Sequence, residues 1–296
     1  MATAPAPFPL AVRKEKLVEA ITAKISALAA HGKLDLPAHY SVHNALKSAW
    51  LRLQSVKTKD DKPVLTACTE ASIGHALLSM AVQALNPDKQ QCYFIAYGDQ
   101  LACQRSYFGS MAMAQRYNPE LVGDFTSAVV YKGDGLKYQI ERGRHVILEH
   151  VQALANVDDR QIVAAYCQIW RPDGTLLDTE LMTIAQIHSA WRKSKANPFH
   201  DRAHDHGNDL KPESTHYQFP GEMAQRTVIN RACKRWINRS DDSALVRAAI
   251  HASDEESITQ PSANTGEEVT LNGAPQLPGP SGAESSDERA SAGPGF

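Results

Sequence analysis

The stretch from 220 to 239, PGEMAQRTVINRACKRWINR, limits what this chain can become more than any other. At helical spacing Met223, Val228, Ile229, Ala232, Cys233, Trp236 and Ile237 fall on one broad apolar stripe, which such a helix buries against a core. The other edge is basic. Arg226, Asn230 and Lys234 form one i, i+4, i+8 column, Arg231, Arg235 and Arg239 form its neighbour, and Glu222 is the only acid in the segment. Pro220 and Gly221 suit a helix start, where Glu222 complements the dipole. Charge runs are usually solvated faces, but those mix signs. A one-signed guanidinium edge on a packed helix fits a polyanion such as a nucleic-acid backbone.

The formal net charge of −2 argues against such a partner only if it is spread evenly. It is not. Residues 252 to 296 hold eight acids and one base, Arg289, so 30 of 31 bases and 25 of 33 acids remain in the body, giving +5 there and −7 in the tail. A hydrophobic content of 43% supports a core. The five cysteines are odd in number, form no CxxC and sit in apolar stretches, so they read as reduced core residues. No apolar run reaches transmembrane length, and the opening MATAPAPFPL has no charged n-region followed by an h-region, so a cytoplasmic protein is expected.

Helical patterns run over 11–30, 42–56 and from Thr69 or Ser72 to Leu85. The first of these, behind a Pro-Ala leader, is expected to be partly detached. QCYFIAY and QLACQRSY flank Gly98-Asp99 as a hairpin, and a helix follows from Phe108 to Arg116. FTSAVVYK, LKYQIER, HVILEH, IVAAYCQIW and TLLDTELM, with turns at Gly133-Asp134-Gly135 and Pro172-Asp173-Gly174, predict a small antiparallel sheet of about five or six strands. A helix over 184–195 ends in cations, residues 196–217 read as a mobile loop, a short helix spans 241–251, and the remainder is disordered by composition. The fold class is therefore α+β, with helices packed around a small antiparallel sheet and a disordered acidic tail. The divisions expected are 1–35 (leader and helix), 36–251 (body) and 252–296 (tail).

Three segments in this order, LPAHYSVHNALKSAWLRLQ, ASIGHALLSMAVQALNPDKQQCYFIAYGDQLACQRSYFGSMAMAQR and HYQFPGEMAQRTVINRACK, resemble the RecT family of phage-type single-strand DNA annealing proteins. Tyr97-Gly98, Gln104, Tyr107 and Gly109 match the family's hairpin pattern. Met223-Ala224, Arg226-Thr227 and Arg231 match its late basic motif. The loop from Asn197 to Thr215 is longer than the family's, and Gln225 stands where Lys is frequent. The resemblance implies ATP-independent binding of single-stranded DNA and annealing through a duplex intermediate. It also implies self-assembly into a ring or helical filament, a partner exonuclease, and work in a bacterial or phage-infected cell, where a host single-strand binding protein is a further candidate partner. No cofactor is required on this view, and Mg²⁺ enters only as an ion that screens the strands.

Annealing forms no covalent bond. It needs two polyanions brought together with their phosphate repulsion lowered, which rows of Arg and Lys supply. Neutralising about five phosphates of a single strand would give a slope of log K against log salt of roughly −3.5. The residues expected to meet DNA are Arg226, Arg231, Lys234 and Arg235 on the basic helix, Arg105 and Tyr107 on the hairpin, and Arg192, Lys193 and Lys195 at the end of the preceding helix. Tyr107 and Trp191 could stack on bases, with core packing an equal alternative for Tyr107. Gln104 is read as a structural hydrogen bonder, His216 as a packing or capping residue, and Lys132 and Lys137 as solvated charges. The run His200, Asp201, His204, Asp205, His206 has metal-ligand letters without a rigid frame. No phosphate-binding Gly-rich loop is present. Two other classes remain open: a metal-dependent nuclease, and an adaptor whose basic helix binds an acidic protein.

Overall fold

The computed structural model describes residues 10–34, 36–194, 197–200, 209–239 and 244–253. Helix α1 (Leu10–Ala30) lays Val18, Ile21 and Ile25 into the same core as Leu46, Trp50 and Leu53 of α2 (Val42–Ser55), so it is docked rather than detached. The charged link after α2, KTKDDKP at 57–63, is followed by a short helix that the sequence pattern did not reveal, α3 (Val64–Ala67). Thr69 starts α4 (Glu70–Val82) by accepting from the Ser72 amide, and α4 buries Ile73, Leu77, Met80 and Ala81. Just past its C-terminus the Arg116 guanidinium donates to Gln83 O at 2.7 Å and Ala84 O at 3.1 Å.

Strands β1 (Cys92–Tyr97) and β2 (Gln100–Arg105) form the expected hairpin, turned at Gly98 with φ +64°. Period-two alternation puts Cys92, Phe94, Leu101 and Cys103 in the core and leaves Tyr93, Ile95 and Tyr97 on the outer face. β2 stops at Arg105, short of the expected Tyr107, because the Ser106 hydroxyl accepts from the Gly109 amide at 3.1 Å and starts α5 (Tyr107–Tyr117). A Cβ on Gly109 would lie 2.1 Å from Gln91 O and 2.8 Å from Arg105 Cγ, so only glycine lets α5 close over the hairpin base.

Five further strands follow: β3 (Asp124–Tyr131), β4 (Gly135–Glu141), β5 (Arg144–Val151), β6 (Ile162–Trp170) and β7 (Leu176–Thr183). They do not make one sheet. β3, β6 and β7 form an antiparallel sheet in that order, β4 and β5 form a separate ribbon, and with β1–β2 the described residues hold seven strands in three sheets. Direct pairing of β3 with β6 excludes the intervening hairpin from the ladder. The ribbon instead packs Leu136 and Ile147 against Val130, Ala164 and Tyr166. At its base the Asp134 carboxylate accepts from Tyr131 N, Gln152 Nε2 and Asn156 Nδ2 at 2.9 to 3.0 Å. Lys137 pairs with Glu149 across the ribbon.

A capping box of Thr183 and Gln186 opens α6 (Ile184–Lys193). In the polar span that follows, Phe199 and Leu210 form a β-bridge and Ser214 caps α7 (Thr215–Gln218), while 201–208 lie outside the described residues. Helices α8 (Pro220–Ile237) and α9 (Ala244–Ser253) complete the body. The tail expected beyond 252 falls almost wholly on 254–296, outside the described residues. The fold is α+β, and no described helix is long and apolar enough to cross a membrane. All five cysteines are free and buried.

Candidate nucleic-acid interface

Helix α8 is anchored at its start. Pro220 sits in the first turn, and the Asp159 carboxylate accepts from Gly221 N at 3.4 Å and from the Tyr131 hydroxyl at 3.1 Å, placing an anion at the positive end of the dipole. A Cβ at Gly221 would lie 2.7 Å from that carboxylate. Ala224, Val228, Ile229, Ala232, Cys233, Trp236 and Ile237 are buried, as the stripe predicts, with Met223 partly so. The helix lies against α5, β6, β3 and β7. What remains open is an edge made of two i, i+4 ridges, Arg226-Asn230-Lys234-Asn238 and Arg231-Arg235-Arg239. From Arg226 to Asn238 this edge runs about 18 Å at 1.5 Å per residue.

Two clefts lie end to end along it. The first, about 350 Å³, has Arg226 and Asn230 on one wall and Ile95, Tyr97 and Gln104 of the hairpin's outer face on the other, with Lys59 and His216 also in its lining. Gln104 donates to the Tyr97 hydroxyl at 2.6 Å, fixing the ring, so its structural role is as the sequence indicates. Burial, followed by the nearby Arg226 charge, pushes His216 down to about 4, so it stays neutral at physiological pH. The second cleft, about 380 Å³, is lined by Arg231, Lys234, Arg235 and Asn238 of α8, by Asp178 and Glu180 of β7, and by Arg144 of β5. Here three arginines meet carboxylates. Arg231 Nε lies 2.9 Å from Glu180, Arg235 Nη1 2.7 Å from Asp178, and Arg144 Nη1 3.8 Å from Asp178.

Arg105 must be corrected. Only 5% exposed, it donates through Nη1 to Gln83 Oε1 at 3.0 Å and through Nε to Ser110 Oγ at 3.2 Å, so it does not reach a phosphate. Ser110 Oγ in turn donates to Asn230 Oδ1 at 2.9 Å, and Gln83 Nε2 donates to Ala249 O at 3.2 Å. One buried polar chain thus runs from α9 through the C-cap of α4, β2 and α5 to Asn230 in the lining of the first cleft. The expectation failed because α5 folds back over the end of β2, covering a face that a lone hairpin would leave open.

Trp191 is likewise a core residue rather than a stacking platform: it is 3% exposed, donates from Nε1 to Thr227 Oγ1 at 2.8 Å, and meets the His216 ring edge-on. Tyr107 does not share a strand face with Arg105, because it opens α5; its ring is half-buried and 4.1 Å from that of Phe108. Burial raises its hydroxyl's pKa, with Tyr93 and Glu222 adding to the shift and Arg226 opposing it. Arg192 is exposed with its guanidinium 4.5 Å over the Phe199 ring, Lys193 is exposed, and Lys195 lies outside the described residues. Lys59, Arg144, Asp178 and Glu180 were not anticipated. Arg144 follows the Arg142-Gly143 turn, the only local hint of a displayed cation.

Among the described residues no three His, Cys, Asp or Glu side chains are grouped to hold a metal ion; of the His/Asp run only His200 is described. No curated protein matches the chain. The family model that does match covers residues 43–265, taking in both clefts and the elements that build them, and the chain belongs to the RecT family.

Proposed function

We infer that this protein binds single-stranded DNA along the open edge of α8 and pairs complementary strands without ATP, as an oligomer. Membership in the RecT family implies single-strand annealing in recombination. The observation that supports this edge as the site is the first cleft. Arg226 and Lys59 face it, and the opposite wall is the apolar and aromatic outer face of the β1–β2 hairpin. Guanidinium on one side suits phosphates, and an aromatic wall suits the π-face of any base, so the arrangement favours sequence-tolerant binding. Arg231, Lys234 and Arg235 extend the cationic edge by two turns, and Arg192 and Lys193 add charge at the end of α6. Assembly into a ring or filament, a partner exonuclease and a contribution of Mg²⁺ by screening belong to the same proposal.

The test is annealing of two complementary labelled oligonucleotides without ATP. Wild type should accelerate pairing, and the Arg226→Ala/Arg231→Ala double variant, folded by circular dichroism, should lose at least tenfold in rate. Removing two phosphate contacts should also flatten the slope of log K against log salt by about 1.4. Failure of the wild type to anneal at any salt or Mg²⁺ concentration would remove the proposal, and divalent-ion-dependent cleavage of the oligonucleotides would replace it with a nuclease.

A further inference from the structure

Asn230 interrupts a column of cations on α8, with Arg226 one turn before it and Lys234 one turn after, each about 6 Å away along the axis. It lines the first cleft beside Arg226, opposite Ile95 and Tyr97. Its amide is held from behind by α5. Arg105 Nε donates to Ser110 Oγ at 3.2 Å, and the Ser110 proton has two acceptors in reach, Asn230 Oδ1 at 2.9 Å and Ser106 O at 3.2 Å. The nearer one orients the amide. With Oδ1 engaged, Nδ2 carries two N–H donors, and among the described residues the bond from Ser110 is the only one the amide makes. Nδ2 is not one of the polar atoms buried without a partner, so its donors open to the cleft.

We propose that Asn230 is a phosphate-contacting residue of the first cleft, its Nδ2 donating to a backbone oxygen of the strand, and that Ser110 is the residue that positions it. This rests on the DNA-binding reading above. Side-chain amides donate to phosphate oxygens, and such contacts fix register on the strand without adding charge. The wall opposite offers the hairpin's apolar and aromatic side chains to the bases, which leaves the α8 wall for the backbone. Because Oδ1 is tied to Ser110, itself 3% exposed, little side-chain freedom is lost when the strand arrives. The amide and its charged neighbours therefore act on different properties of the complex. Cations set how steeply affinity falls with salt, whereas a neutral donor adds affinity at every salt concentration.

Asn230→Ala tests this, since Ser110 can then turn its proton to Ser106 O and no buried donor is stranded. Binding of fluorescein-labelled oligothymidylate should weaken about 10-fold, with the slope of log K against log salt unchanged and the urea midpoint not lowered. Arg226→Ala should instead flatten that slope by about 0.7. An abasic oligonucleotide of the same length should show the same loss from Asn230→Ala. Ser110→Ala, compared at equal folded protein, should weaken binding about 3-fold and add nothing in the Asn230→Ala background. Unchanged binding by Asn230→Ala overturns the proposal. So does a flattened slope, which would mean that Asn230 acts by placing a charge, or a loss confined to the strand that keeps its bases, which would mark a base contact. A Ser110→Ala loss that persists without Asn230 removes the positioning role. If Arg226→Ala weakens binding while Asn230→Ala leaves it unchanged, the DNA-binding reading stands and the amide contact falls. If wild type binds neither oligonucleotide, both fall.

Discussion

The two clefts are assembled on opposite principles. Behind the first stands a buried chain of hydrogen bonds, Ala249-Gln83-Arg105-Ser110-Asn230, which links four elements of secondary structure and the C-cap of α4. Within the second, exposed arginines lean on carboxylates of β7 at the surface. Low dielectric makes buried polar groups expensive to leave unpaired, whereas water and salt discount a surface pair. The first cleft should therefore be rigid and its frame important to the fold. The second should be adaptable, its charges mattering to a ligand more than to stability.

The largest effect should come from Arg105→Ala. It removes the donors that serve Gln83 and Ser110 and opens a cavity at a site 5% exposed, so unfolding in urea should show a loss of about 3 kcal/mol. DNA binding should fall with the folded fraction rather than through a changed salt slope. A loss under about 1 kcal/mol, or a flattened slope at full stability, would return Arg105 to the DNA surface and dissolve the contrast between the clefts.

A second effect is set by pH. His216 lies between Trp191 and the first cleft with its folded pKa lowered from 6.5 to about 4 by burial and then by Arg226. In that interval the unfolded chain binds a proton that the folded chain refuses. Its contribution to stability is thus present above 6.5 and is lost as the pH falls towards 4. Asp134 acts in a separate window. Burial alone would raise it, but hydrogen bonds from Gln152, the Tyr131 amide, Asn156 and His150 outweigh that and hold it at about 2, so its contribution is lost only below the usual carboxylate range. Urea midpoints measured from pH 7 to 4.5 should fall for wild type and fall less for His216→Phe. Parallel curves would show that His216 protonates freely and that the first cleft is wetter than its geometry indicates.

What was legible in the sequence follows the same division between local and distant causes. The apolar stripe of α8, the hairpin turn at Gly98 and the caps at Thr69 and Thr183 are set by residues within a few positions, and each lies where periodicity and turn chemistry place it. Fold class could be read for that reason. Arg105 and Trp191 misled because their burial depends on α5 and on α7 and α8, elements distant in pairing if not in sequence. The strand runs were visible, but their partition into three sheets rests on β3 choosing β6 across an intervening hairpin, which no window of alternation records. The basic columns were visible too. That two of their arginines are met by Asp178 and Glu180 could not be, since those acids sit more than fifty residues away in a strand whose register sets which face they take.

The smallest effect is the sharpest check on the asymmetry. Arg235→Ala removes a 2.7 Å pair, yet the side chain is 52% exposed, and Asp178 keeps the Thr179 amide at 3.1 Å and Arg144 at 3.8 Å. Urea unfolding should register a loss of only about 0.5 to 1 kcal/mol, shrinking further at 0.5 M salt as screening weakens what the pair contributes. A companion Arg144→Ala change should make the two losses add to more than their sum, because together they strand a carboxylate that either arginine alone can serve. A loss from Arg235→Ala as large as that from Arg105→Ala would mean that the second cleft is framework rather than binding surface.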